Sequence, residues 1–338
     1  MKSSILVTGG LGFIGSHTVV DLLQLGHNVV IIDNLVNSNI NVLDGIEKIS
    51  GQRPHFYNED ILNQAALEKI LRDHKIEIVI HFAAFKAVGE SVAFPLKYYQ
   101  NNLGGLISLT LAMKACGIKK IVFSSSCTVY GQPDILPVTE ATEITKAESP
   151  YGNTKIVGEA LLKDISNTGD LQVISLRYFN PVGAHESALI GELPIGVPNN
   201  LVPFITQTAA GLRVSLTVFG NDYNTTDGTC VRDYIHVVDL ASAHVKAMDY
   251  LNQSNENFEV FNVGTGKGST VLEVVQAFEK VAGMALNYQI GPRRPGDVEQ
   301  IWANCEKANT VLGWTAIRNL ETMMADAWRW QQRIGEGE

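Results

Sequence analysis

The apolar residues in the first half of the chain follow two alternating patterns. Short continuous runs of valine, isoleucine and leucine are typical of strands, and the longer stretches between them repeat their apolar residues at helical spacing. Strands are predicted over residues 4–8, 29–32, 77–82 and 120–124, with helices over 15–25 and 104–116. Continuous apolar runs indicate strands buried on both faces. The order therefore predicts right-handed strand–helix–strand units on one parallel sheet.

The pattern changes at about residue 180. Four prolines break the following segment into loops, namely Pro181, Pro194, Pro198 and Pro203, and helical spacing returns over residues 270–282 and 320–333. We therefore predict an α/β protein with a doubly wound parallel sheet over residues 1–179 and a smaller mixed α/β lobe over residues 180–338. The chain is expected to cross between the two lobes, with a ligand cleft between them.

Composition and charge exclude several classes of protein. Of the 338 residues 45% are hydrophobic and 18% charged, and the net charge of −9 disfavours nucleic acid or an anionic membrane as a partner. No apolar run approaches the ~20 residues of a membrane-spanning helix, and the first strand follows Met1 and Lys2 directly, which predicts a cytoplasmic protein. The four cysteines lie far apart without a CxxC pair, so neither a disulfide framework nor a metal site is predicted.

A glycine-rich turn follows the first strand. Gly9, Gly12 and Gly15 let backbone N–H groups approach a pyrophosphate at a helix N-terminus, as in Rossmann-type folds. Asp33 ends the second strand, where its carboxylate can bind ribose hydroxyls and repel a 2′-phosphate, so the sequence favours NAD over NADP. The glycines could instead serve only turn geometry. Asp60 is predicted near the adenine, or alternatively as a helix N-cap.

A second pattern is the Tyr151–Lys155 pair. Ser149 and Pro150 are typical of an N-cap and first helical position, so Tyr151 falls in the first turn of a helix and Lys155 lies on the same face. A nearby ammonium, the helix N-terminus and a cationic nicotinamide ring would favour the phenolate of Tyr151. A packed tyrosine beside a surface lysine is the ordinary alternative. Ser126, which follows a strand that should end at the ligand crevice, favours the catalytic interpretation.

These motifs together resemble the extended short-chain dehydrogenase/reductase superfamily and, within it, the UDP-glucose 4-epimerase family. The similar segments span residues 5 to about 300 and read VTGGLGFIGSHT, IIDNL, FKAVGESV, FSSSCTVYG, SPYGNTK, LRYFNPVGAHES, GVPNNLVPF, FGNDYNTTDGTCVRDYIHVVDLA and PRRPGD. Cys127, Cys230 and the pair Ala84–Phe85 depart from the family pattern.

The resemblance implies roles for particular residues. Tyr151 would be the acid/base, assisted by Ser126 and Lys155. NAD would contact these three residues and a further set, namely Gly9, Gly12, Phe13, Ile14, Gly15, Asp33, Asn34, Leu35, Val36, Asn37, Ser38, Asp60, Ile61, Phe82, Ala83, Ala84, Phe85, Lys86, Asn101 and Phe179. The UDP-sugar would contact Lys86, Ser126, Tyr151, Asn180, Asn200, Leu201, Thr217, Val218, Phe219, Arg232, Arg294, Asp297 and Ile301. Two arginines suit a diphosphate, although surface ion pairing is the ordinary explanation for them.

The implied activity is interconversion of UDP-glucose and UDP-galactose through a 4-keto sugar, with NAD bound throughout. Ile301, which stands where relatives restricted to these sugars tend to hold a tyrosine, leaves room for N-acetylated sugars, unless it only packs near Trp302. The helix over 104–116 is expected to contribute to a homodimer, or alternatively to the core. Two other functions stay open: a nucleotide-sugar 4,6-dehydratase, which needs an Asp-Glu pair after the strand-end serine, and a non-catalytic NAD-binding scaffold.

Overall fold

The computed structural model describes residues 2–294 and 297–336. The strands are β1 (Ser4–Thr8), β2 (Asn28–Asp33), β3 (His55–Asn58), β4 (Ile78–His81), β5 (Lys120–Ser124), β6 (Gln172–Tyr178), β7 (Asn180–Val182), β8 (Leu216–Phe219), β9 (Val231–His236), β10 (Phe258–Val263), β11 (Gly268–Thr270), β12 (Tyr288–Gly291) and β13 (Gln300–Ile301). The α-helices are α1 (Phe13–Gln24), α2 (Val42–Ser50), α3 (Gln64–Asp73), α4 (Val88–Ala93), α5 (Pro95–Tyr98), α6 (Gly105–Ala115), α7 (Pro150–Asn167), α8 (Leu201–Ala209), α9 (Val237–Leu251), α10 (Val271–Ala282), α11 (Glu306–Val311) and α12 (Leu320–Gly335).

Seven parallel strands form the central sheet, in the order β3-β2-β1-β4-β5-β6-β10. The strand order reverses between β1 and β4, and the crevice outside the carboxyl ends of the strands at such a point is where open α/β sheets bind their ligands. The predicted doubly wound parallel sheet is confirmed. We call this sheet and its flanking helices the large lobe.

The two faces of β1 show why its apolar run is continuous. Leu6 packs into a core formed with α3 and α6, whereas Ile5 and Val7 pack into a second core formed with α1 and α9. All three side chains are fully buried, so both faces of the strand need apolar residues.

The small lobe is built around β9, which pairs with β7, β11 and β13, and beside it β8 and β12 form a parallel pair. Its core contains side chains from α8, α10 and α12, among them Ile205, Phe278 and Met324. The strand β10 and the helix α9 follow residue 180 in the chain and yet belong to the large lobe. The boundary at residue 179 stays a prediction.

Two predicted helices begin at other residues than expected. The first begins at Phe13, because Gly12 with its extended backbone already occupies the N-cap position. The helix predicted over 104–116 is α6, and a π-helix over Tyr99–Gly104 runs directly into it. Among the described residues, none of the helices has both the length and the apolar character needed to cross a membrane.

Candidate active site

The glycine-rich turn packs closely against the end of β4. Gly9 has a φ of 68°, and a Cβ atom added there would lie 2.8 Å from the Ala83 nitrogen. A Cβ atom added at Gly15 would lie 2.3 Å from the Gly9 carbonyl oxygen. Glycine is therefore required at both positions for close packing as well as for the turn. The N-terminus of α1 follows at once, and its N-cap Gly12 has no side chain to occupy the free N–H groups, which leaves them open to an anion.

Asp33 lies at the end of β2 beside this turn and is 8% exposed. Its Oδ2 accepts a hydrogen bond from the Leu11 nitrogen at 3.1 Å, and its Oδ1 accepts from the Leu35 nitrogen at 3.0 Å and from Ser38 Oγ at 2.7 Å. These bonds fix the carboxylate against the glycine-rich turn. The Asp33 carboxylate is therefore held at the position where the sequence predicts that it binds the ribose of a dinucleotide.

Asp60 lies beside the loop that follows β2. Asn34 Nδ2 donates to its Oδ2 at 2.8 Å, and the Leu62 nitrogen donates to its Oδ1 at 2.9 Å. The alternative role of Asp60 as a helix N-cap is wrong, because α3 is capped by Asn63, whose side chain accepts from the Ala66 nitrogen.

The segment 82–86 leaves the end of β4 and borders the crevice. Asn102 holds it there, since its Oδ1 accepts from the Phe85 nitrogen at 2.9 Å and its Nδ2 donates to the Phe85 carbonyl at 3.1 Å. The same Nδ2 lies 3.0 Å from Thr154 Oγ1 on α7, and the neighbouring Asn101 Nδ2 donates to Asn102 Oδ1 at 2.9 Å. Asn102 was not predicted. Its only sequence signal is its place beside Asn101, in a segment that forms a π-helix, a feature often found at functional sites.

The start of α7 has the geometry that its sequence predicts. Ser149 Oγ accepts from the Gly152 nitrogen at 3.1 Å and Pro150 is the first helical residue, so Tyr151 is in the first turn. Tyr151, Lys155 and Ser126 are each at most 6% exposed. Lys155 Nζ donates to the Ser124 carbonyl at 2.6 Å and lies 6.0 Å from the centroid of the Tyr151 ring. The structure thus gathers the three predicted catalytic residues at the end of β5.

Burial dominates the electrostatics of this cluster. Burial raises the pKa of Tyr151 well above its usual value, the nearby Tyr178 adds to the shift, and the Ser126 hydroxyl opposes it. Burial also lowers the pKa of Lys155 to about 8, an effect that the Glu159 carboxylate opposes. Without a nicotinamide ring, desolvation of the charged form outweighs the Ser126 contact. The preference for the phenolate, which includes the cationic ring, stays a prediction.

The small lobe carries the two arginines predicted to bind the diphosphate. Arg294 forms a bidentate ion pair with Asp297, at 2.7 and 3.1 Å, and its guanidinium lies 5.5 Å from the centroid of the Phe219 ring. Arg232, on β9, donates to the Val231 carbonyl at 2.8 Å. The ion pairing considered as the alternative for the arginines is therefore present at Arg294. Pro295 and Gly296 of the PRRPGD segment lie outside the described residues.

A glutamate links the two lobes across the cleft. Glu192 Oε1 accepts from Lys86 Nζ at 3.1 Å and from Asn200 Nδ2 at 2.6 Å. Lys86 belongs to the large lobe and Asn200 is the N-cap residue of α8 in the small lobe. Glu192 was not predicted, because nothing near it in the sequence indicates that it meets residues so distant in the chain.

Ile301 is 4% exposed and packs with Cys127, Val129, Tyr130 and Phe179. Of these neighbours, Cys127 adjoins Ser126 and Phe179 adjoins Asn180 in the chain. A role of Ile301 in the sugar pocket stays a prediction, and its burial in this cluster also fits the alternative that it only packs. Its partner in the β13–β9 pairing is Arg232.

Some predicted contact residues direct their side chains into a core. Val218 is buried in the core of the small lobe and Ile61 in that of the large lobe, so only their main chains are available to a ligand. Phe179 is also buried, next to Ile301. By contrast Val36 and Phe219 are exposed.

Known proteins are similar to the chain over nearly its whole length. Residues 6–327 match a family described as GDP-mannose 4,6 dehydratase. UDP-glucose 4-epimerase of Yersinia enterocolitica is 50% identical over 335 residues, which are 99% of both chains. That of Bacillus subtilis is 52% identical over 329 residues, which are 97% of this chain and 96% of the relative. The chain belongs to the UDP-glucose 4-epimerase family.

Solved structures of the family agree with this membership. UDP-glucose-4-epimerase from Stenotrophomonas maltophila, with bound NAD and formylated UDP-arabinopyranose, superposes with a TM-score of 0.97 at 48% identity, covering 99% of this chain and 100% of that one. The UDP-Glc/GlcNAc 4-epimerase of Campylobacter jejuni gives 0.84 at 34% identity, covering 98% and 99%. The family therefore includes a member named for an N-acetylated sugar.

Proposed function

We propose that this protein is an NAD-dependent UDP-hexose 4-epimerase that interconverts UDP-glucose and UDP-galactose. One observation carries the proposal: the buried group of Ser126, Tyr151 and Lys155 and the open N-terminus of α1 both lie at the edge of the parallel sheet where β5 and β1 end. Family membership and the NAD bound in a related structure support it.

The crevice residues fit a dinucleotide. The glycine-rich turn has no room for a side chain at Gly9 or Gly15. Asp33 is fixed beside the turn, since its Oδ2 accepts from the Leu11 nitrogen and its Oδ1 accepts from the Leu35 nitrogen. The main chain of the turn would hold the pyrophosphate, and Asp33 would accept from ribose hydroxyls. When bound, NAD supplies an acceptor for the hydride of the hexose C4 and a cationic ring that favours the Tyr151 phenolate.

The protein's own groups move the proton. Tyr151 Oη takes the proton of the hexose 4-hydroxyl and later returns it, so that a 4-keto sugar forms in between. Ser126 Oγ lies at the end of β5, where it can donate to the same sugar oxygen. Lys155, held by the Ser124 carbonyl, keeps a positive charge near the phenol.

Inversion at C4 requires the keto sugar to present its other face. Arg232 and Arg294 of the small lobe would bind the diphosphate, and Phe219 offers an exposed ring beside Arg294. A firm hold on UDP leaves the hexose free to rotate about its link to the diphosphate. Asp297 is available to ribose hydroxyls through the oxygen lone pairs that Arg294 leaves free.

A second class of substrate is N-acetylated UDP-hexoses. Ile301 borders Cys127 and Phe179, and it has neither the ring nor the hydroxyl of a tyrosine. The Campylobacter jejuni relative, whose name includes GlcNAc, supports this wider range.

The alternatives lack their chemical requirements. A 4,6-dehydratase needs carboxylates after the strand-end serine, whereas Cys127 and Thr128 follow Ser126 here. A non-catalytic scaffold has no need for three catalytic groups in one buried cluster.

We also propose a homodimer in a reducing, cytoplasmic compartment. Leu106 and Leu109 of α6 are buried, whereas Ile107 and Leu111 on the same helix are about half exposed and apolar, which suits a helix that both packs and pairs. The four cysteines are free. Sedimentation equilibrium would test the dimer directly.

Turnover of UDP-galactose without added cofactor tests the activity. We expect the purified protein to release about one equivalent of NAD on acid treatment and to form UDP-glucose unaided. A protein that is loaded with NAD and yet forms no UDP-glucose refutes the epimerase proposal. Release of a stable 4-keto-6-deoxy product would instead identify a dehydratase.

A further inference from the structure

The strongest feature outside the proposed reaction is a buried carboxylate one turn beyond Lys155. Glu159, on α7, is 4% exposed. Its Oε1 accepts from Ser125 Oγ at 2.6 Å and from Ser175 Oγ at 2.9 Å, and its Oε2 accepts from Arg177 Nη2 at 2.6 Å. The carboxylate therefore joins α7 to β6 and to the serine that directly follows β5.

Arg177 extends this contact through the interior. It is also 4% exposed, and its Nη1 donates to the Tyr130 hydroxyl at 3.1 Å. The Tyr130 hydroxyl in turn donates to Asn262 Oδ1 on β10 at 2.6 Å. Since every member of this buried network is hydrogen-bonded, the network is rigid and fixes the Glu159 carboxylate.

The three consecutive serines at the end of β5 are held by α7 at two points. The Ser124 carbonyl accepts from Lys155 Nζ, and the Ser125 hydroxyl donates to Glu159. Lys155 and Glu159 are four residues apart and so lie on one face of the helix. Ser126, the next residue, is the predicted catalytic serine. Its position relative to Tyr151 depends on how this face meets the strand end.

We propose that Glu159, held by Arg177, is a positioning residue that sets Ser126 against Tyr151 through its hydrogen bond to Ser125. This inference rests on the epimerase activity proposed above. Glu159 is hydrogen-bonded to Ser125, the residue before Ser126, so it acts on the reacting groups only through their neighbours. A purely structural ion pair with Arg177 would need no bond to the serine next to Ser126.

Two matched variants separate the positioning role from a general loss of stability. Ser125→Ala and Ser175→Ala each delete one fully buried hydroxyl that donates to the same oxygen of Glu159. Only Ser125 is bonded covalently to Ser126. A misplacement of about 1 Å can cost 10²-fold in rate, and one lost bond should cause less. We expect Ser125→Ala to lower kcat about tenfold, with KM and NAD content unchanged, and Ser175→Ala to keep kcat within about twofold.

Two results with these serine variants would contradict the positioning role. Equal losses in the two variants would mean that both act by loosening the fold, and an unchanged kcat in Ser125→Ala would mean that Glu159 does not position Ser126. Either result overturns the proposal.

A variant without the Glu159 charge adds a second measurement, the pH dependence of kcat, which a purely structural role would not change. The titratable groups facing the Lys155 ammonium are Glu159 and Tyr151 on α7 and His81 on β4. Of these groups, the Glu159 carboxylate favours the ammonium form of Lys155. Removing its charge therefore lowers the pKa of Lys155, which then loses its proton at a lower pH. We expect the alkaline limb of the kcat–pH profile to move to lower pH in Glu159→Gln. Because an unpaired buried guanidinium destabilises a fold strongly, the Glu159→Gln/Arg177→Met double variant, which has neither charge, is measured beside it.

The control for this arm is Asp239→Asn. Asp239 is a buried carboxylate of α9 that accepts from the Arg318 guanidinium and from two backbone nitrogens, and it has no contact with the serines. It should lower the melting temperature and leave the pH profile unchanged. An unshifted profile in both Glu159 variants would overturn the electrostatic part of the role.

Hydrogen exchange keeps the inference testable if the activity itself is absent. Ser125→Ala should speed amide exchange over residues 124–130, and Ser175→Ala should not. Wild-type protein without UDP-galactose turnover would reject the proposed function alone. Equal exchange in the two serine variants would reject the positioning role alone.

Discussion

The two sides of the cleft differ in how their functional residues are held. In the large lobe Ser126, Tyr151 and Lys155 are at most 6% exposed and are fixed by the end of β5 and the first turns of α7. In the small lobe the side chain of Arg294 is 54% exposed, and Phe219 is 41% exposed. The groups proposed for chemistry are buried, and these two groups proposed to hold UDP are exposed, where a large ligand can reach them. Changes in the large lobe should therefore appear in kcat, and changes in the small lobe in KM.

Tyr151→Phe should have the largest effect. It deletes only the hydroxyl that moves the proton, so we expect kcat to fall 10²–10⁴-fold while fold and bound NAD persist. Tyr57→Phe, which removes a hydroxyl bonded to His74 far from the cleft, is the control and should retain kcat within about twofold. Normal turnover in Tyr151→Phe would show that the large lobe does not supply the acid/base.

Acid should weaken the large lobe selectively. Burial lowers the pKa of His17 and His81 to about 3 and that of His244 to about 4, and all three lie in the helices and sheet of this lobe. Below about pH 6.5 the unfolded chain binds protons that the folded histidines do not. Stability is therefore lost as pH falls, by about 2 kcal/mol for each histidine at pH 5. Asp21, whose pKa burial raises to about 6, offsets part of this loss.

Urea unfolding at pH 7 and pH 5 measures this effect. We expect the free energy of unfolding to drop by several kcal/mol, and His244→Gln to reduce the pH dependence. His55→Gln, at an exposed position, should leave it unchanged. A midpoint independent of pH would contradict the burial argument.

Arg294→Ala should affect binding rather than chemistry. Loss of a charge-assisted contact to a diphosphate costs about 1.5–3 kcal/mol, which corresponds to a rise of roughly 10–100-fold in KM for UDP-galactose with little change in kcat. The adjacent Arg293, which pairs with Asp222 and lies over Tyr223, provides the matched control Arg293→Ala. A fall in kcat at constant KM would break the proposed division between the lobes.

Of these variants, Ile301→Tyr should have the smallest effect on turnover of UDP-galactose, the principal substrate. It should also show the largest difference in effect between two substrates. We expect detectable turnover of UDP-N-acetylgalactosamine by the wild type and at least a tenfold loss of kcat/KM for it in the variant, with UDP-galactose largely unaffected. Ile301→Val, which is smaller, should retain both activities. Equal losses on the two sugars would show that Ile301 does not determine which sugar the enzyme accepts.

The parts of the site that the sequence predicted depend on residues close together in the chain. Ser149, Pro150, Tyr151 and Lys155 follow from helix spacing and capping alone, and the glycine-rich turn follows from its place between β1 and α1. The assigned roles of these residues stay predictions until they are tested by substitution.

The residues that were missed depend on contacts between distant segments. Glu192 meets Lys86 106 positions away, and Asn102 meets Thr154 52 positions away. The burial that raises the pKa of Tyr151 has a similar origin, because burial at the junction of several elements is not visible in a local pattern.

The position of β10 has a consequence for synthesis on the ribosome. β6 ends at Tyr178, but the strand that covers its outer edge begins at Phe258, about 80 residues later. At roughly 5–20 residues per second, six strands wait on the order of ten seconds with an unpaired edge. During that interval the nascent chain exposes backbone N–H and C=O groups to any neighbouring strand. Chaperone binding to stalled chains should therefore be strongest when the stall site lies between these two strands, and it should end once β10 has emerged.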